Sequence, residues 1–451
     1  MPAMLRRAHA LALLLAACGG DTNTSDTSGA STGTGASDSP GTTSELPTGT
    51  GGPTSESATD SPATETTDSP ATEATTPTSE PTTEATTDAT TDATTGDAAL
   101  DYTKPGPHPV GNTRFVLPNG DRDLLVELWY PADASAAADA AKGHPIAEFV
   151  PAGPDRDVFD GLLAKLSPAG KIGTRLQTSS AQDAAPAGPG PWPTVAFSHC
   201  FNCVRFSTFS VAERLASHGF IVAAPDHTNG TLFDAEKGEN EEISEAFLAV
   251  RAADISLVLD TILDPGSAVV PEPLRGLADP AHVGMYGHSY GAATAGRVAQ
   301  EDPRVLAAMP IAAPVENPFF PNTHVADIHV PLLSVLAEED NSIGALGNNI
   351  IELNFNAENK PARLIRVTDA GHWNFTDICG LTMGFSAGCG DGERQTMPGV
   401  QFTYLDIDIG RGIASAYALA FFDLYLRDNQ DATAYLDAAD PAAFVAVESR
   451  L

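Results

Sequence analysis

Positive charge is what this 451-residue sequence most lacks: 24 Lys and Arg stand against 59 Asp and Glu, a formal net charge of −35. A surface of that sign repels a phosphate backbone instead of releasing its counterions, which excludes nucleic acid as a partner. Cysteine is scarce too, at five residues. Only Cys200-Phe201-Asn202-Cys203 has C-x-x-C spacing, no second such pair follows at zinc-finger distance and no H-E-x-x-H occurs, so neither a metal nor another cofactor is expected. After residue 17 no stretch is apolar for 18 residues, so the sequence offers no transmembrane helix.

What the chain does have begins with a leader. Residues 1–17 carry Arg6 and Arg7 and then an apolar run of about ten residues ending at Ala17, too short to cross a bilayer core of ~30 Å. Leu15-Ala16-Ala17-Cys18 resembles the bacterial lipobox, in which the signal is cut before Cys and that Cys takes lipid. Residues 1–17 are therefore expected to be a lipoprotein signal peptide and Cys18 the lipidation site; the alternative is an ordinary secretory signal beside an incidental Cys. On either reading the chain is exported, and acyl chains would be its only membrane anchor. Gly19 after the Cys, with no Asp there, points to the outer membrane.

From Cys18 to Leu100 there are 14 Asp and Glu and no Lys, Arg or aromatic residue, and the heptad at 59–65 recurs at 67–73. With almost nothing apolar to bury, such a segment cannot offset its ordering entropy, so 18–100 is expected to be a disordered Thr/Ser/Pro/Asp/Glu-rich linker. Residues 101–451 keep 45 acids against 22 bases and are long enough to bury a large core.

In that part short β-branched runs alternate with longer amphipathic ones. Strands are expected at 124–130, 194–198, 220–224, 283–286, 306–311, 332–337 and 364–368, and helices at 207–217, 241–263, 290–300 and 413–426. The alternation predicts an α/β fold: a mostly parallel central sheet with helices on both faces. Runs at 113–116 and 124–130, separated by Pro118-Asn119-Gly120-Asp121, predict a hairpin and so an antiparallel N-terminal edge. Residues 133–191, rich in Ala, Gly and Pro without a clear period, are expected to lie over the sheet as an insertion.

Gly287-His288-Ser289-Tyr290-Gly291 fits G-x-S-x-G, a weak signal alone that its setting strengthens. A strand enters it and a small-residue helix leaves it, as a sharp turn holding a Ser hydroxyl above a sheet edge requires. A hydroxyl needs a base, and the base an orienting acid. The next strands end in Ala337-Glu338-Glu339-Asp340 and in Asp369-Ala370-Gly371-His372, which makes His372 the expected general base and Asp340 the expected acid, with Glu338 and Glu339 as rivals. For the oxyanion, N–H donors are expected at Tyr290 and in the loop Ser198-His199-Cys200-Phe201, from Phe201 with Cys200 as runner-up; His199 is expected to shape that loop.

With these residues in place the chain resembles the α/β-hydrolases, and more narrowly the platelet-activating factor acetylhydrolase and dienelactone hydrolase-like esterases. The resemblance rests also on Gly106-Pro107-His108-Pro109-Val110-Gly111, Val126-Glu127-Leu128-Trp129-Tyr130-Pro131, Pro225-Asp226-His227, Arg251-Ala252-Ala253-Asp254 and Gly371-His372-Trp373. It implies a Ser-Asp-His esterase with no metal, acting on short-chain, oxidised or phospholipid-type acyl esters, with polyesters for some relatives. The alternatives are another hydrolase on this fold, such as a lipase, thioesterase or peptidase, or an inactive surface-binding protein. Two departures stand out. Dienelactone hydrolases use a Cys nucleophile where Ser289 stands, and the family's Ser-His-Gly has Cys200 in place of Gly, which predicts an altered oxyanion loop if that position needs φ > 0. In an oxidising compartment Cys200, Cys203, Cys379 and Cys389 are expected to form disulfides; three connectivities are open and local pairing is favoured. Phe201, Phe206, Phe319, Phe320, Trp373 and Phe375 are candidates for an acyl pocket.

Overall fold

The computed structural model describes residues 100–438 and 444–451, so the expected signal peptide, Cys18 and the linker lie outside the described residues. The chain enters its sheet at β1 (Val110–Leu117) and returns antiparallel in β2 (Leu124–Pro131), with Val110 opposite Pro131 and Leu117 opposite Leu124. The insertion folds into short helices α1 (Ala137–Lys142), α2 (Pro154–Ala164) and α3 (Pro168–Gly173) and also adds a strand, β3 (Ser180–Gln182), parallel to β1 at the sheet edge. Then β4 (Trp192–Ser198), α4 (Phe209–Ser217), β5 (Ile221–Pro225), α5 (Leu232–Lys237), α6 (Glu245–Leu263), β6 (Ala278–His288), α7 (Tyr290–Glu301), β7 (Val305–Ile311), β8 (Leu332–Ala337), α8 (Gly344–Ala357) and β9 (Ala362–Val367) follow. The strands among them pair in parallel. A ribbon of β10 (Asp391–Glu393) and β11 (Gln401–Thr403) precedes α9 (Ile407–Arg427) and α10 (Ala432–Leu436), and β12 (Val445–Arg450) closes the far edge antiparallel to β9.

The sheet order is β12-β9-β8-β7-β6-β4-β5-β2-β1-β3. Successive residues of β4 point to opposite faces: Val195 and Phe197 join a core with Phe209, Leu215, Leu419 and Phe421 of α4 and α9, while Ala196 joins Ile255 and Leu259 of α6 and Val298 of α7. Because both faces are covered, the central strands read as continuous apolar runs. From β4 the chain steps outward to β5 on one side and then to β6 on the other. That reversal opens a crevice beyond the carboxyl ends of β4 and β6, where ligands of open α/β sheets bind.

Strand β6 starts at Ala278, five residues before the expected start, and three further differences have a clear physical reason. Helix α9 begins at Ile407, six residues before the expected start, capped by the Asp406 carboxylate on the Asp408 N–H at 2.9 Å; Gly410 and Gly412 masked it as a weak helix former. Helix α8 was not anticipated, since Gly and Asn favour turns, yet Ile351 and Phe355 pack on Leu336 and Leu364 and override that preference. The edge strand β12 is short and mostly exposed, so its pattern was silent.

Candidate active site

Strand β6 ends at His288 and α7 starts at Tyr290, which leaves Ser289 between them at φ +58°, ψ −121°. A left-handed φ on Ser persists only when the surroundings enforce it. Here the Ser289 N–H donates to the Ile311 carbonyl at 2.8 Å, and the Ser289 carbonyl accepts from the Ala292 N–H at 2.8 Å. The flanking glycines make room: a Cβ on Gly287 would lie 2.0 Å from the Gly291 oxygen, and one on Gly291 1.9 Å from the Ser198 oxygen at the end of β4. The motif thus records the contact of the elbow with itself and with β4.

Asp340 and His372 stand in the loops after β8 and β9. The loops are tied by Glu338 N–H to the Val367 oxygen at 3.0 Å and Glu339 N–H to the Ala370 oxygen at 2.8 Å. His372 Nδ1 lies 2.8 Å from Asp340 Oδ2, and Asp340 Oδ1 accepts the Ser342 and Ile343 N–H groups, both at 2.9 Å. Both side chains are buried. The rivals are engaged elsewhere. Glu339 accepts from Arg394 at 2.8 Å and from the Thr396 N–H at 3.0 Å, and Glu338 receives the Asp369 N–H at 3.3 Å. Burial raises the pKa of Glu339, but the bonds from Thr396 and Arg394 outweigh it and hold the carboxyl below its usual range. Glu338, Glu339 and Asp369 come together as a carboxylate cluster, with the Arg394 guanidinium against Glu339 and, at 2.6 Å, Asp369.

His288 links the elbow to the loop that carries His372. Its Nε2–H donates to the His372 carbonyl at 2.8 Å, and its ring centroid is 4.8 Å from that of His372. Burial, with His372 beside it, holds the His288 pKa well below the usual imidazole value, so the ring is a neutral brace.

The loop after β4 is closed by a Cys200–Cys203 disulfide with Cα atoms 5.2 Å apart, and Cys379–Cys389 bridges the segment after His372 at 6.0 Å. Both pairings are local. The distortion expected from Cys200 is absent: the positive φ falls on Asn202, at +53°, a residue type that tolerates it. His199 shapes the loop, donating from Nδ1 to the Cys200 carbonyl at 2.7 Å and accepting the His227 N–H on Nε2 at 3.0 Å. The Phe201 amide donates to no other described residue, and the Phe201 ring packs edge-on against Tyr290 with centroids 6.2 Å apart. Tyr290 opens α7, where amides point out of the helix end.

Beside Ser289 lies a cavity of about 50 Å³ lined by Tyr290, Ala293, Phe319, Phe320, Ile243 and Ile343, among others. Of the six aromatic candidates, Phe319 and Phe320 line it, Phe201 packs next to it, and Phe206, Trp373 and Phe375 belong to the core. Nothing in the periodicity around Ile243 and Ile343 marked them as pocket residues. A larger hollow of about 630 Å³ lies away from the triad, between 105–110 and the start of α9. Most of its charged groups are already paired, Arg175 with Glu213 at 2.9 Å and Arg411 with Asp408 at 2.6 Å, and Arg214 donates to the Tyr102 carbonyl at 2.8 Å.

A second Ser-His-Asp relay sits behind the β4 loop. Ser198 Oγ is 2.9 Å from His227 Nε2, and His227 Nδ1 is 3.0 Å from Asp254 Oδ2. All three side chains are at most 1% exposed and Ser198 Oγ also accepts from Arg251, so this relay has the bonds of a triad without a path for substrate.

Residues 180–377 match the model of the dienelactone hydrolase family, and residues 100–233 that of platelet-activating factor acetylhydrolase, isoform II. Platelet-activating factor acetylhydrolase of Cavia porcellus is 24% identical over 360 residues, 71% of this chain and 77% of that protein. Cutinase est2 of Thermobifida alba is 32% identical over 146 residues, 32% of this chain and 41% of the cutinase. Among solved structures, the ferulic acid esterase from Streptomyces cinnamoneus superposes with a TM-score of 0.56 at 23% identity, covering 78% of this chain and all of that one. By its sheet and its elbow the chain has the α/β-hydrolase fold, and by these matches it is similar to the esterases built on it.

Proposed function

We propose that the chain is a serine carboxylic-ester hydrolase that cleaves short-chain or phospholipid-type acyl esters through an acyl-enzyme. Ser289 Oγ attacks the ester carbonyl while His372 Nε2 takes its proton. Asp340, hydrogen-bonded to Nδ1–H, fixes the tautomer and stabilises the imidazolium. The negative charge that develops on the carbonyl oxygen is met by the Phe201 and Tyr290 N–H groups. As the tetrahedral intermediate collapses, His372 returns the proton to the departing alkoxide; water then repeats the sequence on the acyl-enzyme and frees the acid. No metal enters these steps.

The observation that carries this reading is the 2.8 Å His372–Asp340 bond at the same sheet end as the Ser289 elbow. The preference for a short acyl group is supported by the 50 Å³ cavity, room for roughly four water-sized groups. Steady-state hydrolysis of chromogenic esters of rising acyl length tests it: turnover should fall steeply beyond short chains. Turnover undiminished to long chains would make the protein a lipase or polyesterase instead.

Export with a lipid anchor at Cys18 in the outer membrane is part of the proposal, supported by the sequence at 15–18 alone. The mass of the mature N-terminus tests it. A lipid-modified Cys18 is expected, and an unmodified N-terminus would refute the anchor.

A further inference from the structure

We propose that Arg251 is a positioning residue for the oxyanion hole, clamping the loop that carries Phe201 to the helix that begins at Tyr290. The inference rests on the reading of those two amides as the oxyanion donors. Arg251 lies in the second turn of α6 and is fully buried. Its guanidinium touches both halves of the hole. Nη2 donates to the His199 carbonyl and, at 3.0 Å, to Ser198 Oγ, both in the segment that leads into Cys200 and Phe201. Nε donates to Thr294 Oγ1 at 3.2 Å, and Cζ lies 4.6 Å from the centre of the Tyr290 ring. Thr294 in turn donates to the Tyr290 carbonyl at 3.0 Å, so one side chain grips the nucleophile helix at both ends of its first turn.

The electrostatics of this placement favour a positioning role. No carboxylate among the described residues lies within ion-pair distance of Arg251, and its buried Nη1 has no hydrogen-bond partner there. Burial lowers its pKa to about 10, which leaves it charged at neutral pH. An unpaired buried cation is costly, and an apolar side chain of equal volume would fill the space without that cost. The Asp254–His227 pair one turn further along α6 continues the same scaffold: the His227 N–H holds His199 Nε2, and His227 Nε2 accepts from Ser198 Oγ. The look-alike relay is therefore the frame of the oxyanion loop.

The test is kinetics of the full-length protein on a short-acyl chromogenic ester, with affinity for a short-acyl trifluoromethyl ketone, whose serine adduct places an oxyanion in the hole. Arg251→Lys keeps the charge but cannot span both halves. It is expected to lower kcat about 30-fold and to weaken the ketone by a similar factor, with KM within about threefold of wild type. Thr294→Val, which removes one grip, is expected to lose about threefold in both. A merely structural residue would lower the melting temperature without this parallel loss, so a folded Arg251→Lys with wild-type kcat and ketone affinity overturns the proposal. If Arg251→Lys does not fold, wild-type values for Thr294→Val overturn it. Ester cleavage that survives Ser289→Ala overturns the reading of the site and this inference with it.

Discussion

At Asp340 three carboxylates crowd one turn, and reach decides between them. The short side chain, with one oxygen pinned by two amides, meets His372, while the longer Glu339 swings away to Arg394 and Thr396. Replacing Asp340 by Asn keeps the shape but offers an N–H to Nδ1, favouring the tautomer that cannot accept the serine proton. Asp340→Asn should therefore lower kcat by about 10³ to 10⁴ with an unchanged circular dichroism spectrum, whereas Glu339→Gln should lose less than about tenfold. Equal losses would mean the acid has been misassigned. The sequence signals for Ser289 and His372 were a preceding strand and a nearby glycine: Ser289 follows β6 directly, and His372 follows Gly371 in the loop after β9. Arg251, His227 and Asp254 stood out only as motifs shared with a family, since their work is done through tertiary contacts between β4, α6 and α7 that no local pattern encodes. The positive φ at Asn202 was hidden for a similar reason: it depends on how the disulfide closes the loop.

At the scale of elements, the central strands were readable because burial on both faces leaves unbroken apolar runs, with bounds moved by a few residues at most in β7, β8 and β9. Helix α8 was unreadable because packing and side-chain bonds hold it; Asn348 donates to the Ala337 carbonyl at 2.8 Å and Asn354 to the Glu316 carbonyl at 3.0 Å. Glu358, which ends this helix, is 2% exposed, has one oxygen bonded to Ser334 at 3.3 Å and the other without a partner among the described residues. Burial raises its pKa to about 7. A carboxyl with a higher pKa folded than unfolded binds its proton more tightly in the native state. Its stabilising contribution is complete below pH 4.5 and is lost as pH rises through 7. Glu358→Gln should leave stability near pH 4.5 unchanged and raise it by about 1 to 3 kcal/mol at pH 8, read by denaturant unfolding. Stabilisation equal at both pH values would show that Glu358 is not buried in the charged form's disfavour.

Over the whole molecule, the acid excess persists into the folded part, and among the described residues no helix is long and apolar enough to cross a membrane. The two disulfides are both local, one in the loop after β4 and one in the segment after His372, so each closes a loop at the sheet end that carries Ser289. Fold class was legible from the alternation of elements, while of the pocket only the aromatics Phe319 and Phe320 were, because Ile243 and Ile343 come from distant segments. Among the described residues the closed relay of Ser198, His227 and Asp254 stands beside the candidate triad of Ser289, His372 and Asp340. The most direct test is therefore covalent: reaction of the full-length protein with a fluorophosphonate, followed by peptide mapping and residual esterase activity. The account requires one adduct per chain, on Ser289, with loss of activity in proportion to labelling and no adduct in Ser289→Ala. Labelling at Ser198, or full activity with Ser289 fully modified, would contradict it.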